Sequence, residues 1–200
     1  MAKLQPGSTA PEIRLPDQDG AERTLAALRG QWVLVYFYPR DDTPGCTVEA
    51  CGLRDASADY ARAGIQVLGI SADSVKSHRK FADKFKLPFT LLADEEKRVI
   101  RAFGVWGKKK FMGREFDGIL RQSFLIDPAG KIAKVYSKVT PAAHAAEVLA
   151  DVAALGGKGK AAPRAAKPAP KKPAPKKKVV KAPARARGAP RARRSPKPKA

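Results

Sequence analysis

A chain of 200 residues is long enough for one well-buried domain with length to spare, and its net charge of +21 is carried unevenly. All 19 acidic residues and 23 of the 40 basic ones precede residue 158, which leaves +4 on residues 1–157 and +17 on residues 158–200. No run approaches the roughly 20 apolar residues of a membrane span, and the start, MAKLQPG, lacks the apolar core of a secretory signal, so a cytoplasmic protein is expected.

Residues 13–28 read as a small edge hairpin around Asp19-Gly20. The run Trp32-Val33-Leu34-Val35-Tyr36-Phe37-Tyr38 is continuously apolar and rich in β-branched and aromatic residues, the pattern of a strand buried on both faces. Residues 46–63 carry Leu53, Ala56 and Tyr60 at helical spacing, and Gly64 marks the stop. A second strand at 65–70, a helix at 75–85, a short strand at 90–92 and a third helix at 95–103 follow. Strand and helix alternating in this order indicate an α/β fold. Residues 119–126 and 131–136 flank Asp127-Pro128-Ala129-Gly130, a hairpin that makes the sheet mixed. Residues 141–155 read as a closing helix. Past Gly156-Gly157 the composition turns to Lys, Arg, Ala and Pro, without one aromatic residue. Such a segment cannot bury enough apolar surface to offset chain entropy, so residues 158–200 are expected to be a disordered basic tail behind a domain of residues 1–157.

Cys46 and Cys51 are the only cysteines. In a reducing compartment such a pair is reactive or inert rather than a staple. A zinc site would need both His78 and His144, at spacings that match no finger, so no metal is expected and both histidines read as ordinary surface or helix residues. Cys46 falls where a strand ends and a helix begins. Thr43 suits the N-cap, Pro44 the first helical position, and Cys46 then lands in the first turn, where unpaired N–H groups and the macrodipole favour a thiolate. The same residues also fit a plainly capped helix with Cys46 as a small buried hydrophobe.

Cys51 tips the balance. Residues five apart in an intact helix are separated by about 7.5 Å along the axis and about 140° around it, which puts their Cα atoms roughly 8–9 Å apart. A disulfide tolerates about 7 Å, so the pair cannot bond while the turn between them stays helical. The spacing predicts a two-state site, helical when reduced and locally unwound when oxidised. Arg121 stands out within the apolar stretch 119–126. A solvent-facing strand arginine is one reading. The other is a guanidinium that reaches Cys46, favours its thiolate and hydrogen-bonds a bound peroxide.

The stretches YPRDDTPGCTVEACGLRD and FGVWGKKKFMGREFDGILRQSFLIDPAGKI resemble the bacterioferritin-comigratory-protein (PrxQ) subfamily of peroxiredoxins. The likeness covers residues 4–155 and includes a Pro-x-x-x-Thr-x-x-Cys signature. It implies a thioredoxin-like fold, with a mixed central sheet flanked by helices and added N-terminal elements. By the same resemblance Cys46 matches the peroxidatic cysteine and Cys51 the resolving one. Thr43 matches the hydroxyl that orients the peroxide, Pro39 the proline that shields the pocket, and Arg121 the activating arginine. The implied substrates are hydrogen peroxide and organic hydroperoxides, and the implied reductant is thioredoxin or a similar dithiol. No metal, haem, flavin or other cofactor is implied, and the expected state is a monomer. Lys108, Lys109 and Lys110 depart from a commonly more acidic segment, and Gln122 from a usual Ser or Thr.

The tail resembles the Lys- and Ala-rich tails of linker histones in composition. Closely spaced cations on a flexible chain displace counterions from DNA or RNA, without side chains arranged to read sequence. Non-specific nucleic-acid binding and nucleoid association are therefore expected, or nuclear import through PKKKVVK in a eukaryotic source. Membrane binding is not expected, for want of an amphipathic helix or aromatic anchor. Two readings follow: a thiol peroxidase with a nucleic-acid tether, or a nucleic-acid-compacting protein whose folded part is a passenger.

Overall fold

The computed structural model describes residues 4–111 and 113–156. The predicted tail at 158–200 lies outside them. Near the start, β1 (Arg14–Pro16) and β2 (Glu22–Thr24) pair antiparallel as the expected edge hairpin. The buried carboxylate of Asp17 ties their turn by accepting from the N–H groups of Asp19 and Ala21, both at 2.9 Å.

Next comes β3 (Trp32–Phe37), buried at all six positions. It is followed by α1 (Pro44–Asp55), α2 (Ser57–Arg62), β4 (Ile65–Ser71), α3 (Val75–Phe85) and β5 (Thr90–Ala93). The chain continues through α4 (Arg98–Ala102), β6 (Trp106–Phe111), β7 (Arg114–Ile119), β8 (Gln122–Ile126), β9 (Ile132–Tyr136) and α5 (His144–Ala154). Five strands form the central sheet in the order β5-β4-β3-β8-β9, with β4 and β5 parallel to β3, β8 antiparallel to β3, and β9 antiparallel to β8. The sheet is mixed because β8 and β9 are joined by a short turn, which only antiparallel neighbours can use.

Alternation along β3 divides the core. Val33, Val35 and Phe37 face a layer with Val99, Ile100 and Phe103 of the α4 region, whereas Leu34, Tyr36 and Tyr38 face Leu53, Phe81, Val148 and Val152 from α1, α3 and α5. Chemistry therefore sits on the second face, where β3 delivers the chain into α1.

Four expectations need correction. The helix expected at 46–63 is two, broken at Ala56 (φ −84, ψ 3), where no Gly or Pro interrupts the apolar spacing. The third helix begins at Arg98 rather than 95, because the buried Asp94 carboxylate accepts from the N–H groups of Arg98 and Ile100 while Lys97 turns left-handed. The strand expected at 119–126 is divided, with Leu120 and Arg121 standing between β7 and β8, and the β6–β7 ribbon was not foreseen. A two-stranded ribbon outside the main sheet need not bury one clean face, so WGKKKF shows no alternation to read. Finally, His78 and His144 are helical but wholly buried, not surface residues. Among the described residues no helix is long and apolar enough to cross a membrane.

Candidate active site

The turn from β3 into α1 places the site. Pro39 is half-buried just past the strand, Thr43 takes extended backbone at the N-cap, and Pro44 opens the helix. Proline suits that position because its missing N–H would go unpaired there anyway. Thr43 does not cap with its side chain. Its hydroxyl donates back to the carbonyl of Arg40 at 3.1 Å. The first helical N–H to find a partner is that of Thr47, which donates to the Thr43 carbonyl at 2.8 Å. Among the described residues nothing accepts from the N–H groups of Gly45 and Cys46. Two orphan donors and the positive end of the helix dipole thus surround Cys46, which is buried at 2 % exposure.

Arg121 comes from the joint between β7 and β8. The N–H of the preceding Leu120 donates to the Val105 carbonyl at 2.8 Å, which fixes the chain there. From this point the guanidinium reaches α1. Its Nη2 donates to Cys46 Sγ at 3.2 Å, and its Nη1 pairs with the carboxylate of Glu49. A side chain only 21 % exposed and doubly engaged is not a solvent-facing strand arginine. Gly45 eases the approach, since a Cβ there would lie 3.3 Å from Arg121 Nη2 and oblige the guanidinium to give by a few tenths of an ångström.

Glu49 follows Cys46 by three residues, close to one helical turn, and its side chain is fully buried. Burial pushes its carboxyl up to about 7 against the pull of Arg121. Its Oε1 has no partner among the described residues, nor has the hydroxyl of the buried Tyr36. Burial, then the charges of Glu49, Asp41 and Cys46, raise the Tyr36 phenol well above its ordinary range, so it stays protonated. Arg121 is raised above its usual value by Glu49 and Cys46, which outweigh its own burial. It is a fixed cation.

Two further groups feel this charge. Lys109 of β6 donates to the Ile119 carbonyl at 2.8 Å, and burial and then Arg121 lower its ammonium. His144, at the start of α5, lies 2.9 Å from Ser123 Oγ through Nε2 and is pushed down to about 4 by burial and by Arg121, hence neutral. Cys51 is half-buried on the same unbroken α1, and both thiols are free.

Thr43, Cys46 and Arg121 thus come together at one helix start, with Pro39 beside them in the chain and Cys51 further along α1. Sequence reasoning missed Glu49, Tyr36 and Lys109. For Glu49 a signal existed: the spacing from Cys46 puts a carboxylate on the adjoining helical position. The assembly presents a buried sulfur ringed by a guanidinium and free N–H donors, suited to stabilising negative charge on sulfur and on an oxygen bound next to it.

The family model described as AhpC/TSA matches residues 6–135. The chain belongs to that family. Peroxiredoxin Bcp of Escherichia coli (strain K12) is 52% identical over 144 residues, covering 72% of this chain and 92% of that protein. Peroxiredoxin Q of Xanthomonas campestris has a TM-score of 0.69 at 39% identity, covering 76% of this chain and 96% of that one. The bacterioferritin comigratory protein of Xanthomonas campestris, described for its alkyl peroxide reduction activity, has a TM-score of 0.69 at 38% identity, over 78% of this chain and 99% of its own. This peroxiredoxin is of the Bcp/PrxQ kind, a thiol peroxidase with the thioredoxin-like fold. More than a quarter of its length has no counterpart in the Escherichia coli alignment.

Proposed function

We propose that this peroxiredoxin reduces hydrogen peroxide and organic hydroperoxides through Cys46 as the peroxidatic residue and Cys51 as the resolving one. The observation that carries the reading is the contact of Arg121 with Cys46 Sγ at the uncapped start of α1. Cys46 attacks the distal oxygen of ROOH as a thiolate. The O–O bond breaks, the OH passes to sulfur as a sulfenic acid, and the departing alkoxide takes up the proton that the Cys46 thiol released and leaves as ROH. Arg121 and the N–H groups of Gly45 and Cys46 hold the peroxide oxygens. The Thr43 hydroxyl, which uses its proton on Arg40, offers lone pairs to a peroxide hydrogen, and Pro39 limits water at the pocket.

The first turns of α1 then unwind, and Cys51 displaces hydroxide from the sulfenic sulfur. That hydroxide takes the Cys51 proton and leaves as water, with a Cys46–Cys51 disulfide left behind. An external dithiol, thioredoxin or a similar protein, restores both thiols by exchange and is itself oxidised to a disulfide. No cofactor enters any step. The alkyl peroxide activity ascribed to the Xanthomonas campestris protein supports the inclusion of organic hydroperoxides. Residues 158–200, with their charge of +17, act in this reading as a tether to DNA or RNA that needs no sequence recognition.

One equivalent of peroxide added to the reduced protein tests the assignment. Mass spectrometry should show the loss of two hydrogens, mapped to Cys46 and Cys51. Cys46→Ser should consume no peroxide with dithiol, and normal turnover by that variant would overturn the proposal.

A further inference from the structure

Just upstream of α1 the chain enters a buried polar cluster that the peroxide chemistry does not use. Asp41 is 8% exposed and His78 of α3 is not exposed at all. The Asp41 N–H donates to Asp73 Oδ2 at 2.8 Å, and that carboxylate accepts from the Ser71 hydroxyl at 2.7 Å. Tyr38 donates its hydroxyl to Asp41 Oδ1 at 2.8 Å, and Ser77 donates to Oδ2 at 2.7 Å. His78 completes the cluster, with Nδ1 2.9 Å from Asp41 Oδ2 and Nε2 3.1 Å from the Leu92 carbonyl. A carbonyl and a carboxylate only accept, so each ring nitrogen has an acceptor within reach. Burial pushes the Asp41 carboxyl up, but the bonds from His78, Ser77 and Tyr38 outweigh it, and the group sits below the usual carboxylate range.

Neighbouring residues repeat the attachment. Asp42, in left-handed backbone at φ 54, accepts from Lys84 Nζ at 2.6 Å. On the far side of Cys51, Arg54 Nη1 donates to the Phe85 carbonyl at 2.9 Å. Ser77, His78, Lys84 and Phe85 all belong to α3. One helix therefore grips the chain on both sides of the segment that carries the two cysteines.

We propose that Asp41 and His78 are positioning residues that fasten the approach to Cys46 onto α3, so that oxidation unwinds residues 43–53 and leaves the chain before them in place. The inference rests on the Cys46–Cys51 disulfide proposed above. Its physical content is a balance. With the anchor intact, fraying stops at Thr43, and α1 re-forms with Cys46 back against Arg121. Without it, disorder spreads into residues 39–42, the unwound state gains chain entropy, and the reactive geometry is less populated. Loss of the anchor should therefore slow the attack on peroxide and speed disulfide closure. Faster closure leaves less sulfenic acid to react with a second ROOH, which would give sulfinic acid and ROH.

The test uses the full chain in five forms: wild type, Asp41→Ala, Asp41→Asn, Lys84→Met and Val99→Ala. Rapid-quench mass spectrometry follows Cys46 oxidation, disulfide closure and the sulfinic fraction in excess hydrogen peroxide. Loss of a buried charged hydrogen bond shifts such an equilibrium about tenfold, so Asp41→Ala should cut the ratio of sulfinic acid to disulfide by about that factor. Asp41→Asn still accepts from Tyr38 or Ser77 and keeps a polar group against His78, so it should fall between Asp41→Ala and wild type. Lys84→Met removes only an exposed pair and should move the ratio the same way by about twofold. It also carries the test together with Asp41→Asn if Asp41→Ala does not fold. Val99→Ala, which loosens α4 in the core layer on the other face of the sheet, controls for lost stability and should leave the ratio unchanged. If wild type forms the disulfide and the Asp41 variants partition as it does, or as Val99→Ala does, the anchor is refuted and the peroxidase reading stands. If wild type forms no Cys46–Cys51 disulfide, both fall.

Discussion

Glu49 is a carboxylate held where ionisation is costly, and the consequence can be measured. Its carboxyl titrates near 7 in the folded protein against an ordinary 4.5. Between those values the folded chain keeps a proton that the unfolded chain has released. Stability therefore falls as pH rises from about 4.5 to about 7, and levels off above that. Glu49→Gln removes this dependence. Urea denaturation at pH 5 and pH 8 should show the variant gaining on wild type by about 2.5 kcal/mol across the interval. A difference that does not change with pH would mean that Glu49 ionises freely. At this scale the sequence was legible where a residue type is rare or its spacing is diagnostic. Two cysteines five apart, a Thr-Pro helix entry and an arginine in an apolar stretch each point to one place. Glu49, Asp41 and His78 were not legible, because one polar residue on an amphipathic helix or turn resembles any solvent-facing one until its partners from α3, β5 and the β7–β8 joint are in place.

Among the elements, the β3–β4 pairing shows how closely the site is packed. Tyr36 lies opposite Gly69 across the parallel ladder. A Cβ on Gly69 would sit 2.6 Å from the Tyr36 hydroxyl oxygen and 2.8 Å from Leu91 Cδ2. No L side chain fits there without moving the ring that lies under the α1 face. Gly69→Ala should cost about 1–3 kcal/mol in chemical denaturation, the usual range for overpacking. Tyr36→Phe deletes a hydroxyl that has no partner and should be nearly neutral alone. In the double variant it should recover part of the loss, whereas additive effects would mean that the hydroxyl is not what the new methyl meets. Strand and helix order were readable because β3, β4 and β8 are apolar runs and α3 is strongly two-faced. The break at Ala56 and the β6–β7 ribbon were not, since both depend on tertiary contacts. Tyr60, for instance, is buried past that break with its hydroxyl donating to the Ala145 carbonyl at 3.1 Å.

Across the whole molecule the sequence divides into a near-neutral catalytic part and a segment with seventeen cationic residues and no acidic ones. If half or more of those charges meet phosphates, log affinity for DNA should fall against log salt with a slope of about −8 or steeper. Deletion of residues 158–200 should abolish retention on a DNA column and leave peroxide turnover unchanged. Retention that ignores salt, or survives the deletion, would rule out the tether. The α/β class and mixed sheet were legible from the alternation of elements and the turn at 127–130. The spatial order of the five strands was not, because nothing local records that β8 lies against β3.

Arg121 stands between two ladders rather than inside one. Its backbone is set by the Leu120 bond to Val105 and by β8, not by the far end of the β6–β7 ribbon. That ribbon is therefore free to change length or sequence at its outer tip, around Gly113, with little disturbance to the guanidinium. One residue inserted between Ile119 and Gln122 would instead carry the cation off its sulfur while every strand kept its partner. Such an insertion would yield a protein that folds, melts and elutes normally and yet is chemically silent.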